Sequence, residues 1–369
     1  MSLTEELVRR IGQQGPLTVA DYMRLCLTHP VHGYYMTGDP FGAPSEQGGD
    51  FVTAPEISQM FGELLGLWCA DAWQRLGSPS PCLLVELGPG RGSLMADALR
   101  ATARVPGFPA AMDLHLLEAS PALRDAQGRA LGAHEVTWIE SLAELPEAPL
   151  LLIANEFFDA LPVRQFERRE DGWAERLVVL GEDGRSLAFG LAPPSPLNAA
   201  LVPAPLREAA TGSLVEICPA GLSLAAFLGD HLARHPGAAL IVDYGPAESR
   251  PGPTLQALHR HQRQDVLQEP GWADLTAHVD FQSLAEAATA KGARAFGPLN
   301  QGPFLQALGI ETRAAQLAAA APEQAATVDA ALKRLVEPQQ MGALFKALAL
   351  VSPESLAPGL SPPAGFGAD

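Results

Sequence analysis

The chain has 369 residues, of which 47% are hydrophobic and 18% charged, so it can bury a sizeable core and is not intrinsically disordered. Its 25 Lys and Arg face 42 Asp and Glu, a formal charge of −17 with no long basic run; this speaks against nucleic acid as a partner and would suit a cationic one. Cys26, Cys69, Cys82 and Cys218 form no CxxC pair and no Cys/His cluster of zinc spacing, so buried thiols and no metal are expected.

In chain order, residues 3–13 and 18–28 have the apolar spacing of amphipathic helices, with Thr18 placed to cap the second. A glycine-rich loop runs from His32 to Asp50. Pro55 then opens a helix expected to reach about Arg75, with Ile57, Met60, Phe61, Leu64, Leu65 and Trp68 at helical spacing. Ser78-Pro79-Ser80-Pro81 is a boundary, so residues 1–79 read as an N-terminal helical cap or lid. The beginning of the chain shows no signal-peptide core or Arg-rich transit pattern, and no uninterrupted apolar run is long enough for a bilayer. The expected setting is a bacterial cytoplasm, or a mitochondrial matrix for a processed form, without stable membrane insertion.

From residue 80 the pattern changes to short apolar runs alternating with helices, the mark of an α/β fold with a parallel sheet. The runs are Cys82–Leu87, Leu114–Glu118, Glu135–Ile139 and Leu150–Ala154, with helices at about 93–103 and 121–131. Residues 163–213 and 246–280 read as insertions. The first holds an antiparallel meander, with strands Arg164–Arg168 and Glu175–Val179 and turns at Glu170-Asp171-Gly172 and Asp183-Gly184. The second is expected to be loop-rich. Leu214–Cys218, a helix near 221–234 and the strongly apolar Ala238–Tyr244 lie between them. Later elements are a helix at 281–291, a strand at 293–297, Ala-rich helices to about 336 and a strand near 343–351. The segment 353–369 reads as a flexible tail.

The strongest single motif is Leu84-Val85-Glu86-Leu87-Gly88-Pro89-Gly90-Arg91-Gly92, between a buried strand and a helix. Glycines allow close backbone approach, and a helix N-terminus offers free N–H groups and positive potential. The spacing is GxGxG, not the GxGxxG of dinucleotide folds, and Glu86 would repel a pyrophosphate. The motif resembles the first motif of Rossmann-like methyltransferases, in which such an acid holds the methionine end of S-adenosylmethionine. Glu118, at the end of the second strand beside Ala119, could accept both ribose hydroxyls, or could serve only as a helix N-terminal charge. Adenine is expected near Ile139–Leu142, with Ser141 in contact.

Asn155-Glu156-Phe157-Phe158-Asp159 follows the fourth strand, where open α/β sheets bind ligands. Glu156, Asp159 and Asn155 are the catalytic candidates, Asn155 also touching cofactor; local capping by Asn155 or Asp159 is the simpler alternative. Thr53 and Asp50 are candidate cofactor contacts from the lid. Tyr35 is a further lid candidate, and for these three turn chemistry or packing is an equal reading. Tyr35, Asp243, His261, Asp274 and Thr276 are candidate lining for the acceptor; for the last four the alternative is a satisfied surface or loop residue.

Over nearly its whole length the sequence resembles the MidA-type family, which includes the mitochondrial complex I assembly factor that methylates a protein arginine. The likeness is carried by Gly15–Met23, His32–Tyr35, Gly49–Ser58, Phe61–Gly66, the glycine loop, Asn155–Pro162, Val215–Pro219, Asp243–Gly245 and Ala273–Phe281. It departs at Asn155, where the mitochondrial members carry His. The resemblance implies a class I methyltransferase fold, S-adenosylmethionine as cofactor, and a protein arginine as acceptor, which in the mitochondrial members lies on a complex I subunit. The competing readings are an NAD-dependent oxidoreductase, a non-catalytic assembly scaffold, and a small-molecule methyltransferase.

Overall fold

The computed structural model describes residues 1–37, 53–259, 262–353 and 361–367. Two of the candidate site residues, Asp50 and His261, lie outside them.

Helix α1 (Leu3–Gln14) begins with a reciprocal capping box: Ser2 accepts the Glu5 N–H, and Glu5 accepts the Ser2 N–H. Strand β1 (Leu17–Thr18) leads into α2 (Val19–Thr28), whose Asp21 N–H donates to the Thr18 side chain as expected. Next come α3 (Tyr34–Thr37), α4 (Ala54–Ile57) and α5 (Gln59–Arg75). The single helix expected from Pro55 to Arg75 is broken at Ser58, which is extended (φ −164°, ψ 139°) and caps α5 by accepting the Met60 N–H. Apolar spacing continues across the break, so it hid the capping serine.

The α/β part follows the expected alternation: β2 (Cys82–Leu87), α6 (Ser93–Thr102), α7 (Phe108–Ala111), β3 (Met112–Leu117), α8 (Pro121–Leu131), β4 (Thr137–Ile139) and β5 (Leu150–Asn155). The antiparallel insertion has one strand more than was read: β6 (Arg164–Arg169), β7 (Gly172–Leu180) and β8 (Leu187–Leu191). Then come α9 (Pro196–Leu201), β9 (Leu214–Ile217), α10 (Pro219–Arg234) and β10 (Gly237–Tyr244). The span expected to be loop-rich contains three short strands, β11 (Gln256–His259), β12 (Gln262–Gln264) and β13 (Asp274–Thr276), too brief to show a period in sequence. The chain ends with α11 (Phe281–Thr289), β14 (Arg294–Asn300), α12 (Gln301–Ala307), α13 (Ile310–Ala320), α14 (Ala325–Val336) and β15 (Phe345–Val351).

Two compact units are formed. One comprises Met1–Phe51, Asp159–Ser223 and Glu248–Ser283; the other comprises Val52–Phe158, Leu224–Ala247 and Leu284–Asp369. The second unit contains a seven-stranded sheet in the order β14-β15-β10-β5-β2-β3-β4. All residues of β2 and β5 are buried, as expected for strands covered on both faces. The sheet is not wholly parallel: β15 runs antiparallel to both β10 and β14. From β2 the chain moves outward to β3 and β4, then returns to the other side of β2 with β5. The order reverses between β2 and β5, which makes their carboxyl ends the topological switch point, the place where such sheets bind ligands.

Close packing holds the helix that follows β2. A Cβ added at Gly66 of α5 would lie 2.6 Å from the Ala98 Cα of α6, and one at Gly62 would lie 2.8 Å from the Leu94 carbonyl. Only glycine permits that approach. Glu63, between them in sequence and 3% exposed, accepts bonds from Arg100 (2.6 Å) and from Arg313 (2.6 and 2.8 Å). Part of the expected flexible tail is anchored in this unit. Trp68 donates its indole N–H to the Ala364 carbonyl at 3.1 Å, and the buried Phe366 ring sits 5.2 Å from Phe304.

The first unit has its own cores. Leu7, Ile11, Tyr22, Met23, Val178 and Leu275 belong to one, and Phe166, Trp173 and Val215 to another. Glu216 on β9 braces the second insertion by accepting the N–H groups of Thr254 and Leu255, each at 3.0 Å.

Candidate active site

The glycine loop sits at the end of β2. Gly88, Gly90 and Gly92 all have positive φ (60°, 54° and 85°), so three residues in the αL region make the turn that glycine tolerates and other residues resist. Gly92 is the N-cap of α6, whose first-turn N–H groups have no partners within the helix. Gly88 also has no room for a side chain, since a Cβ there would meet the Phe157 ring at 2.8 Å. Pro89 is buried and accepts the Gly92 N–H through its carbonyl at 2.8 Å.

Glu86 is 3% exposed, and its Oε2 has no hydrogen-bond donor among the described residues. Burial pushes this carboxyl up to about 8. One strand over, Asn155 ends β5, is 8% exposed, and donates its amide to Glu156 Oε1 at 3.2 Å. A carboxylate can only accept, so the Asn155 nitrogen must face it and Oδ1 must face away. That Oδ1 is also buried without a donor. Two unsatisfied acceptors therefore end adjacent strands at the switch point, and burying such atoms is costly unless a donor arrives. A cationic amino group is a donor of the kind both acceptors lack, so the chemistry of these residues fits the amino-acid end of S-adenosylmethionine.

Glu156 starts the loop with φ 50°, a left-handed conformation that is uncommon for a residue with a side chain. Its N–H continues the sheet by donating to the Val242 carbonyl (2.9 Å), and its Oε1 accepts the Ala54 N–H (3.1 Å). Thr53 just before is buried, caps α4 by backbone geometry alone and makes no side-chain cap bond. Asp243, expected in the acceptor lining, is 0% exposed; its oxygens accept the N–H groups of Phe158 (3.0 Å) and Tyr244 (2.9 Å). Those bonds tie it to the acidic loop.

Glu118 is buried at the end of β3, with Ala119 exposed beside it. It accepts the Ser120 N–H at 2.8 Å and the Gln127 amide at 3.1 Å. Burial raises its pKa, opposed by these donors. Ser141 is exposed, and its hydroxyl accepts the Ala143 N–H in the capping box of a short 3-10 turn. The structure gives it that local job. Gln127 was passed over in sequence, although a polar residue on the Leu123/Leu131 stripe is a usable signal.

Other candidates lie in the first unit. Tyr35 donates its hydroxyl to Asp274 at 2.9 Å, and burial, with the nearby Asp274 and Asp159 carboxylates, holds its phenol well above the usual range. Asp159 is 6% exposed, and its carbonyl accepts the Ala277 N–H at 2.9 Å. Thr276, buried on β13, accepts from the Gln256 amide at 3.4 Å. Tyr35, Asp274 and Asp159 are thus brought together, with Thr276 on the same strand as Asp274. All four cysteines are free; burial pushes Cys26 and Cys82 up to about 12 and Cys218 to about 11, which leaves unreactive thiols. No group of metal-binding residues occurs among the described residues, and none of their helices is long and apolar enough to cross a membrane.

A family model described as "Putative S-adenosyl-L-methionine-dependent methyltransferase" matches residues 64–299. The chain belongs to this family. It is 36% identical to the mitochondrial protein arginine methyltransferase NDUFAF7 of Danio rerio, over 96% of this chain and 88% of that protein. It is 38% identical to the Drosophila melanogaster homologue (95% and 84%) and 34% identical to the Homo sapiens protein (96% and 84%). A crystal structure from Burkholderia thailandensis, bound to S-adenosylhomocysteine, superimposes with a TM-score of 0.83 at 30% identity, over 97% of this chain and 95% of that one. The fold is that of the class I methyltransferases, and S-adenosylmethionine is the family's cofactor. The oxidoreductase reading is set aside.

Proposed function

We propose that this member of the family methylates an arginine side chain of a protein, a respiratory complex I subunit being one candidate target. The observation that carries the reading is Glu156: a strained, hydrogen-bonded carboxylate at the switch point, directly after the strand end that fits the cofactor. Relatives named as protein arginine methyltransferases, matched over nearly the full chain, support the same acceptor.

In this reading Glu86 and Asn155 hold the amino-acid end of the cofactor, Gly88, Pro89, Gly90 and Gly92 form the floor, and Glu118 takes the ribose with Ala119 beside it. Thr53, Ser141 and Asp50 are proposed as further cofactor contacts. The bound cofactor supplies an electrophilic methyl group on a sulfonium. Glu156 accepts a charge-assisted N–H bond from the guanidinium, which orients it and favours the lone pair on another nitrogen. The proton shed by that nitrogen after methylation leaves to solvent or to Asp159. Tyr35, Asp274 and Thr276 are proposed to recognise a cationic acceptor segment; Asp243 holds the acidic loop through the Phe158 N–H.

The test is transfer from methyl-labelled S-adenosylmethionine into proteins of a cell extract lacking this chain, followed by acid hydrolysis. Label recovered as methylarginine supports the proposal. Label confined to small molecules, or to another amino acid, overturns it, and no transfer from a protein that binds S-adenosylhomocysteine favours a scaffold.

A further inference from the structure

Helix α8 carries a polar residue on its buried stripe. Leu123, Gln127 and Leu131 recur every four residues, and Gln127 is 0% exposed. A buried amide is tolerated only when its groups find partners. Trp138 donates its indole N–H to Gln127 Oε1 at 2.8 Å. An indole nitrogen can only donate, so this bond fixes which end of the amide is oxygen. The nitrogen then faces two acceptors, the Gly90 carbonyl at 2.8 Å and Glu118 Oε2 at 3.1 Å, and it has one N–H for each. The other Glu118 oxygen accepts the Ser120 N–H at 2.8 Å. Gly92 allows α8 to come this near the turn, since a Cβ there would lie 3.3 Å from the Gln127 Cα.

We infer that Gln127 is a positioning residue for the cofactor, holding the Glu118 carboxylate ready for the ribose hydroxyls and tying it to the glycine turn at Gly90. The inference rests on the reading of Glu118 as the ribose acceptor. A carboxylate offers about four acceptor directions, so the bonds from Ser120 and Gln127 orient it and leave capacity for hydroxyls. Without the amide, Glu118 would have to be ordered at the moment of binding, and the turn and the acid would no longer be coupled. Trp138 prevents the amide from turning over and presenting its oxygen to Glu118.

The test is calorimetric titration with S-adenosylhomocysteine of the wild type, Gln127→Met, Glu118→Gln and the double variant, with melting temperatures of the ligand-free proteins. Methionine keeps the volume and removes both polar ends. Gln127→Met should weaken binding about tenfold or more, the scale of losing a hydrogen bond to a charged group. The double variant should bind about as weakly as Glu118→Gln alone, because Gln127 acts through that acid. A purely structural residue would lower the melting temperature and give additive losses, which overturns the proposal. Unchanged binding in Gln127→Met, with a loss in Glu118→Gln, also overturns it. Unchanged binding in Glu118→Gln defeats the ribose reading itself. Should Gln127→Met fail to fold, Trp138→Phe carries the test: it frees the amide to turn over and should weaken binding several-fold, and wild-type affinity there rejects the proposal.

Discussion

The Glu156 carboxylate accepts the main-chain N–H of Ala54 at 3.1 Å, so the acid at the end of β5 closes the first turn of α4. The same Oε1 accepts from Asn155, which gives the side chain a fixed place before any acceptor arrives. Glu156→Gln is therefore a clean test. Its amide oxygen can still accept both bonds, so melting should shift by only about 2 °C and S-adenosylhomocysteine should bind within about threefold. Methyl transfer should fall by at least about 100-fold, the scale seen when a preorganised electrostatic group is removed. Wild-type turnover in the variant would remove Glu156 from the mechanism.

Glu63 tests how the helix after the glycine loop is held. It is almost fully buried, and burial opposes its ionisation, but the Arg313 and Arg100 guanidiniums outweigh that and hold its pKa below the usual carboxylate range. A lowered folded pKa gives stability that is present above the unfolded value and lost as pH falls through the folded one. Breaking a buried pair can cost 3–5 kcal/mol, but both arginines reach water, so Glu63→Gln should cost about 2 kcal/mol at neutral pH. Urea titrations should show the gap to wild type narrowing as pH drops below about 4. A constant gap would mean that packing, not charge, holds the residue.

The sheet was legible because β2, β5 and β10 are continuous apolar runs and the glycine turn has a spacing of its own. The candidate site could be proposed from sequence where a polar residue stands at or near a strand end, as at Glu86, Glu118 and Glu156. What escaped depends on partners distant in sequence. Asp243 reads as lining because it sits near a strand end, and its bond from the Phe158 N–H, 85 residues away, is one that sequence does not announce. Gln127 depends on Trp138 and Gly90, and no local pattern announces that meeting. The break at Ser58 and the three strands after β10 failed for another reason: a capping serine within an apolar period, and strands of three or four residues, fall below what periodicity resolves.

Phe366 tests the anchored end of the chain. Its ring is 6% exposed against Phe304, and the neighbouring Ala364 carbonyl satisfies the buried indole of Trp68. Phe366→Ala should cost about 3 kcal/mol, typical of a buried aromatic. Truncation before Ser361 should cost more, because Trp68 also loses its acceptor and Arg75 loses the oxygens of Ser361 and Pro362. Thermal denaturation of both variants checks this, and a truncated protein as stable as the wild type would show that the segment contributes nothing.

Glu86 makes the sharpest prediction about the cofactor. Its carboxyl is raised from 4.5 to about 8 by burial, with Oε2 lacking a donor. A folded pKa above the unfolded one means that the folded state holds the proton more tightly. The resulting stability is present below the unfolded value and lost as pH rises through about 8. Ligand-free protein should thus lose stability between roughly pH 5 and 8, and Glu86→Gln should flatten that slope. A cationic amino group arriving at Glu86 favours the charged form and pulls the pKa down. Binding at pH 7 should then release up to about one proton, with the release vanishing in Glu86→Gln. Calorimetry with S-adenosylhomocysteine in buffers of differing ionisation enthalpy measures it. Equal heats in all buffers would mean that Glu86 does not change protonation on binding, and would separate it from the amino-acid end of the cofactor.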